Sequence, residues 1–210
     1  QNGTPEYLIH ENASWDFLKF NLSFNEFAKK ADAVCFGTLA HRNPVSGETI
    51  KNFIKKTKEN CLKVYDINLR QHYFSKKIIS DLLTLTDVLK LNIDELNIIT
   101  KMFLTNKEET KCLEELKLRF GLKTIVLTKG SDGSRIFMDK HHDSVYKSKS
   151  VKMVDSVGAG DSFSAAVTLG LLKEFDLDKI NKIANSIAAF VCSKKGATPK
   201  IPKKIVQSIN

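Results

Sequence analysis

Long apolar runs, paired cysteines and a secretory leader are what this sequence lacks. No stretch is apolar for the roughly 20 residues a bilayer requires, and no signal peptide opens the chain, so a soluble protein with no membrane partner is expected. The four cysteines, Cys35, Cys61, Cys112 and Cys192, are widely spaced and form no C-x-x-C. Each sits in apolar or helical sequence, the usage of reduced core thiols in a cytoplasmic protein. Without a leader, the sequons at Asn2, Asn12 and Asn21 imply nothing. The patterns G-x-x-x-x-G-K-[ST], G-x-G-x-x-G, H-E-x-x-H and G-x-S-x-G are also absent. Their absence argues against a P-loop nucleotidase, a Rossmann dehydrogenase, a zinc protease and an α/β-hydrolase.

What remains is an ordinary composition, 42% hydrophobic and 27% charged over 210 residues, enough for one sizeable core. Lys and Arg outnumber Asp and Glu by 33 to 24, a net charge of +9. The lysines are scattered, with no interleaved aromatics, so no nucleic-acid partner is expected. The chain opens without a methionine, in "TPEYLIHENASW", whose middle reads as a strand already under way. A further N-terminal piece is therefore expected.

From residue 32 onward β-rich runs alternate with helical patterns, the signature of an α/β protein with a parallel sheet covered by helices. Strands are expected at 33–39, 62–69, 87–92, 124–130 and 134–138, and helices at 47–59, 76–84, 93–103, 107–120, 161–173 and 178–194. Gly121 should end the fourth helix. In the last helix Ile180, Ile183, Ala184, Ile187, Ala188 and Val191 fall on one face, a core stripe. There are no repeats, and the four prolines lie at the edges, in loops and the tail.

Ligands of open α/β sheets sit beyond the carboxyl ends of the strands. At one such end, "YDINLRQ" would put Asp66, Asn68 and Arg70 on one face, either as an Asp-Arg network or as substrate contacts. At the next, Asn92-x-x-Glu95 reads as a capping box, a spacing that recurs at Asn106-x-x-Glu109, or as an amide and carboxylate holding hydrated Mg²⁺. In "TIVLTKGSDG", Gly130 and Gly133 permit a tight hairpin or a close approach to a nucleotide.

The most informative stretch is "VDSVGAGDSFS", residues 154–164. Helical periodicity begins just after Gly158-Ala159-Gly160, so bare amides lie at a helix N-terminus and attract anions. Asp161 is either a favourable first-turn charge or a general base beside a phosphate.

With "FGTL", "YDINLRQHYFS", "LKLNIDEL", "VLTKGSDGS" and "AAFVCSKKGATP" in order around it, "VDSVGAGDSFSAA" resembles the signature of the ribokinase-like (PfkB) carbohydrate kinases. That signature is D-T-V/T-G-A-G-D-x-F, with Ser156 where Thr is commoner. The resemblance covers essentially the whole chain and is strongest to bacterial fructokinase-like members. It implies a three-layer α-β-α fold with a mostly parallel central sheet, and ATP-dependent phosphorylation of a sugar hydroxyl, fructose first. Ribose, a keto-deoxy sugar acid or a nucleoside as acceptor, or a non-catalytic sugar or nucleotide sensor, are the alternatives.

By that resemblance Asp161 is the catalytic base, and the amides of Val157, Gly158, Ala159 and Gly160 form the anion hole. Asn92 and Glu95 position Mg²⁺, Glu95 through water. Thr128, Gly130 and Gly133 run along the ATP, with Asn185 and the 193–197 turn, including Gly196, near the adenine. Asn68 and Arg70 face the substrate. A K⁺ ion would take Asp155 and the carbonyls of Val157, Val191, Lys194 and Gly196. The chain would be the C-terminal portion of one kinase domain, residues 1–20 ending a lid and 21–210 forming the core with the ATP site. The family's sugar-binding segment and most of the lid precede Gln1, and a homodimer through the lid is the assembly open to the full-length protein. His10, His41, His72, His141 and His142 match no motif and are expected on the surface or in loops.

Overall fold

A strand that reads "VLKLN" has no polar face to turn to water, and Val88–Asn92 is buried along almost its whole length. It lies inside the first of two compact units into which the computed structural model divides, Ile9–Leu127 and Thr128–Asn210, the second including the N-terminal residues to Leu8. The residues described are 8–148 and 153–207.

In the unit Ile9–Leu127 the strands β1 (Ala33–Phe36), β2 (Leu62–Asp66), β3 (Val88–Asn92) and β4 (Thr124–Thr128) lie in that order. β1 pairs with β2 and β2 with β3, both parallel, with Ala33 opposite Leu62 and Val64 opposite Val88. The helices α1 (Leu22–Lys30), α2 (Pro44–Lys56), α3 (Lys76–Leu83), α4 (Ile93–Phe103) and α5 (Glu109–Phe120) alternate with them. Val64, Tyr65, Leu89 and Leu91 from the strands and Ile54, Ile79, Leu82, Ile99, Leu113 and Leu116 from the helices are almost wholly buried.

Local chemistry sets the element ends. The expected strand 33–39 stops at Phe36, and residues 39–42 form a 3-10 turn. The expected 62–69 stops at Asp66, since Asn68 and Gln71 adopt positive φ of 40° and 46°. Asp66, Asn68 and Arg70 therefore do not alternate along one strand. α2 starts earlier than expected because Asn43 caps it and Pro44 fills its first position. The Asn106-x-x-Glu109 box does not form: Glu108 caps α5, and the Asn106 amide reaches Glu115. Gly121 ends α5 as expected. Helix α1 had not been anticipated, and Ala28 is its one buried residue. A helix that buries so little leaves little periodic signal.

In the unit Thr128–Asn210, β5 (Ser134–Phe137) and β6 (Asp143–Tyr146) form an antiparallel hairpin, Ser134 opposite Tyr146. β6, half exposed with one buried Ser, was also missed. Helices α6 (Ala159–Leu172) and α7 (Leu177–Cys192) pack together, with Ile180, Ile183, Ala184, Ile187 and Val191 buried. A short helix, α8 (Lys203–Val206), follows. The strand expected within "TPEYLIHENASW" falls partly outside the described residues, and residues 8–13 form none.

Candidate functional site

The stretch 153–162 is held by one carboxylate. Asp155 accepts the Val157 N–H at 2.9 Å through one oxygen and the Gly196 N–H at 3.0 Å through the other. Its own amide and that of Val154 donate to the Cys192 carbonyl at 3.2 and 2.8 Å. The turn before α6 and the turn after α7 are thereby fastened together. The Val157 N–H, and then the Gly196 N–H, hold the Asp155 carboxyl below its ordinary range. The five residues expected around a monovalent cation, Asp155, Val157, Val191, Lys194 and Gly196, meet at this junction, where the Val191 carbonyl accepts the Lys194 N–H at 3.0 Å. An ionised carboxylate beside a turn that carries carbonyls is a donor set that fits such an ion.

Gly158 caps α6 at a φ of 80°, and a Cβ there would lie 2.2 Å from the Ala197 carbonyl oxygen. Both features demand glycine. Ser162 N–H to Gly158 O, at 2.9 Å, is the first helical bond, so the N–H groups of Gly160 and Asp161 precede the ladder. Ala159 N–H leans on Ser156 O at 3.3 Å. The Val157 amide is likewise taken by Asp155, so two of the four amides of the expected anion hole already carry a bond within the turn. Asp161 is exposed in the first turn of α6. We expect Gly158→Val to abolish the geometry of this turn by pushing Ala197 away. Circular dichroism should stay near native while any ATP-dependent activity falls at least a hundredfold, the scale of a lost anion-hole donor.

Gly130 and Gly133 lie in a 3-10 turn closed by Lys129 N–H to Gly133 O at 2.8 Å. The Asn185 amide points inward. It donates to Ser134 Oγ at 2.6 Å and to the carbonyl and Oδ1 of Asn181 at 2.8 and 3.0 Å. Asn181, wholly buried, accepts from Ser134 Oγ and donates to the Ser144 carbonyl at 3.0 Å. This network joins the β5–β6 hairpin to α7.

In the unit Ile9–Leu127 the Asn92–Glu95 box is formed. Glu95 N–H reaches Asn92 Oδ1 at 2.9 Å and Glu95 Oε2 accepts the Asn92 N–H at 2.8 Å. The other oxygen of Glu95 accepts the Leu69 N–H at 3.0 Å, so the carboxylate also pins the segment leaving β2. Burial raises the Glu95 carboxyl above its ordinary value, against the pull of those two amides. Asp66 at the end of β2 pairs with Lys90 of β3 at 3.0 Å. Thr38 donates to the Ile67 carbonyl at 2.5 Å and lies 2.7 Å from the Tyr65 hydroxyl. Sequence reading missed Thr38 and Lys90. The one available signal was a Lys at a buried strand position.

His41, expected at the surface or in a loop, lies in the 3-10 turn 39–42 and is buried there with neither ring nitrogen hydrogen-bonded. Burial first, and then nearby Lys51, lower its pKa to about 4. With an unfolded value near 6.5, the unfolded chain binds more protons between about pH 6.5 and 4, so stability falls as pH drops through that window. Denaturant unfolding at pH 7 and pH 5 should show this loss, and His41→Met should reduce it.

Among the described residues no helix is long and apolar enough to cross a membrane. Over 215 residues the chain is 31% identical to PH1459 of Pyrococcus horikoshii, described as an uncharacterized sugar kinase, covering 95% of this chain and 63% of that protein. The solved structure of PH1459 in complex with ATP superposes with a TM-score of 0.78 at 25% identity, over 100% of this chain and 70% of that one. Fructokinase-2 of Oryza sativa subsp. japonica is 27% identical over 216 residues, 96% of this chain and 62% of that protein. Fructokinase from Vibrio cholerae O395, solved with fructose and ADP in calcium and potassium forms, shares the fold with a TM-score of 0.71 at 21% identity over 86% of this chain and 61% of its own. The chain thus spans less than two thirds of the length of PH1459 and of the rice fructokinase-2. These likenesses show the three-layer α/β fold. With the model of the pfkB family carbohydrate kinases matching residues 1–204, the chain belongs to that family.

Proposed function

We propose that this chain carries the phosphoryl-transfer chemistry of an ATP-dependent sugar kinase, with D-fructose the first candidate acceptor. The observation that carries the reading is Asp161 in the opening turn of α6, directly after the bare backbone of Gly158, Ala159 and Gly160. In the reaction Asp161 accepts the proton of the sugar hydroxyl. The freed oxygen bonds to the γ-phosphorus of ATP, the bond to the β-phosphate oxygen breaks, and ADP leaves with its electrons. The N–H groups and the dipole of α6 counter the charge on the transferring group.

Asn92 and Glu95 are the residues proposed to act toward Mg²⁺, which would supply charge neutralisation at the phosphates. Since Glu95 already accepts two amides and is 6% exposed, its part would run through a bound water. Thr128, Gly130, Gly133 and the 193–197 turn are proposed to line the nucleotide. Asn185, whose amide is engaged with Ser134 and Asn181, would contribute by holding the β5–β6 hairpin to α7 rather than by its own amide. Asp155 with the Val157, Val191, Lys194 and Gly196 carbonyls would hold K⁺, and Asn68 and Arg70 would read the acceptor. Support for the acceptor class comes from the likeness to fructokinase sequences. We further propose a cytoplasmic protein, in keeping with its free cysteines, and a homodimer formed through the lid of the full-length protein.

The test is ATP consumption by the full-length protein across a panel of D-fructose, D-ribose, a keto-deoxy sugar acid and a nucleoside, with and without Mg²⁺ and K⁺. Fructose-dependent ADP release that needs Mg²⁺ and rises with K⁺ is expected. Nucleotide binding without turnover of any acceptor would overturn the kinase reading.

A further inference from the structure

Within the unit Ile9–Leu127 a pocket of about 260 Å³ is lined by Trp15, Gly37, Thr38, Leu39, Ala40 and Asn68. It is smaller than the roughly 300–1,000 Å³ that drug-sized ligands occupy, and suits a single small ring. Its walls are set with care. Thr38 is fixed by Tyr65 and the Ile67 carbonyl, which places Asn68 immediately after a pinned backbone, in a positive-φ conformation. Gly37 lines the pocket with bare backbone, and a Cβ there would come within 3.1 Å of the Asp66 carbonyl.

Trp15 also lines the pocket, and its ring is stacked on a buried cation. Arg42 lies 4.3 Å from the Trp15 ring centre and 4.6 Å from that of Tyr73, a guanidinium between two aromatic faces. Asp16 grips it through two oxygens at 2.9 and 2.8 Å, and its Nη2 also donates to the His10 carbonyl at 2.6 Å. The Arg42 and Asp16 side chains are 7% and 2% exposed. A buried bidentate pair of this kind fixes geometry more than it adds stability. The Tyr73 hydroxyl is in turn anchored to Glu11 at 2.9 Å.

We propose that Trp15 is a platform for the acceptor sugar, packing against the C–H face of its ring opposite the polar Asn68, and that Arg42 is the positioning residue that holds the indole in place. An aromatic residue and a polar side chain lining one small pocket match a sugar ring, which has an apolar face and a polar rim. The proposal rests on the sugar-kinase reading and adds a specificity-determining residue to it. It assigns function to "SWDF" and "HRN", which no motif explained.

Trp15 is the one tryptophan of these 210 residues, and the part of the emission change lost in Trp15→Phe reports on the pocket. The full-length protein is titrated with D-fructose and D-ribose without nucleotide while tryptophan fluorescence is followed, and steady-state kinetics are measured for Trp15→Phe, Trp15→Ala and Arg42→Lys. A saturable emission change absent from Trp15→Phe is expected. Trp15→Ala should raise the sugar KM about tenfold, the scale of one lost aromatic contact, with the KM for ATP unmoved. Trp15→Phe should recover most of that loss. Arg42→Lys keeps the charge facing Asp16 but not the stacked plane, and should raise the sugar KM in the same direction. Turnover of a sugar with emission and sugar KM indifferent to residue 15 overturns the platform and leaves the kinase reading standing. A saturable sugar signal without ATP consumption supports the platform and overturns the kinase reading, and neither signal nor turnover overturns both.

Discussion

Asp161→Asn is expected to lower kcat of the full-length protein by about 10²–10⁴-fold while ATP binding, followed by calorimetry, changes little. The substitution is nearly isosteric and leaves the amides of Gly158, Ala159 and Gly160 where they are. An amide cannot take the hydroxyl proton, so the loss falls on the chemical step and not on nucleotide affinity. Asp161 is exposed at a helix N-terminus, so the charge itself contributes little to stability, on the order of 0.5 kcal/mol. A drop in kcat accompanied by native unfolding behaviour separates a base from a helix-end charge. Undiminished kcat would sink the base assignment.

The second large effect concerns stability. Asn181→Ala should destabilise the unit Thr128–Asn210 by about 3 kcal/mol in denaturant unfolding. Asn181 partners Ser134, Ser144 and Asn185, all of them buried. Truncation leaves several buried donors and acceptors without a partner at once, each costing about 1–3 kcal/mol if not rescued by water. Because the groups act as a set, Ser134→Ala added to Asn181→Ala should cost less than the sum of the two single changes. Strict additivity would mean that the hairpin and α7 are held by apolar packing alone.

The strands and long helices were legible because their signals are periodic and deep. "VLKLN", "TIVLT" and the Ile180 to Val191 stripe each bury the face that their spacing demands. Helix α1 and strand β6 were illegible for the opposite reason, since each leaves most of its side chains in water. The ends of β1 and β2 were overextended because apolar residues continue past the last ladder bond. Ile67 is fully buried, yet its neighbour Asn68 has left the β region, and no periodicity reports a φ of 40°.

Of the site, the sequence placed Asp155, Gly158, Asp161, Asn92 and Glu95 on the correct element ends, because caps and helix starts are local. It could not show that Glu95 reaches Leu69, 26 residues away, or that Arg42 is gripped by Asp16 across the same separation. Those bonds depend on tertiary approach. His41 was misjudged for a related reason. A lone histidine beside an arginine looks solvent-bound until the chain folds over it.

Asp155 has a consequence for motion as well as for binding. One carboxylate holds the turn entering α6 by Val157 and the turn leaving α7 by Gly196, beside the Val154 and Asp155 amides that donate to the Cys192 carbonyl. The two turns therefore form a single lever with Asp155 as its pin. A shift of the 193–197 segment is passed to the backbone at Gly158 without any change in α6 or α7 themselves. Asp155→Ala, which deletes the acceptor of both bonds, would free the arms of that lever from each other.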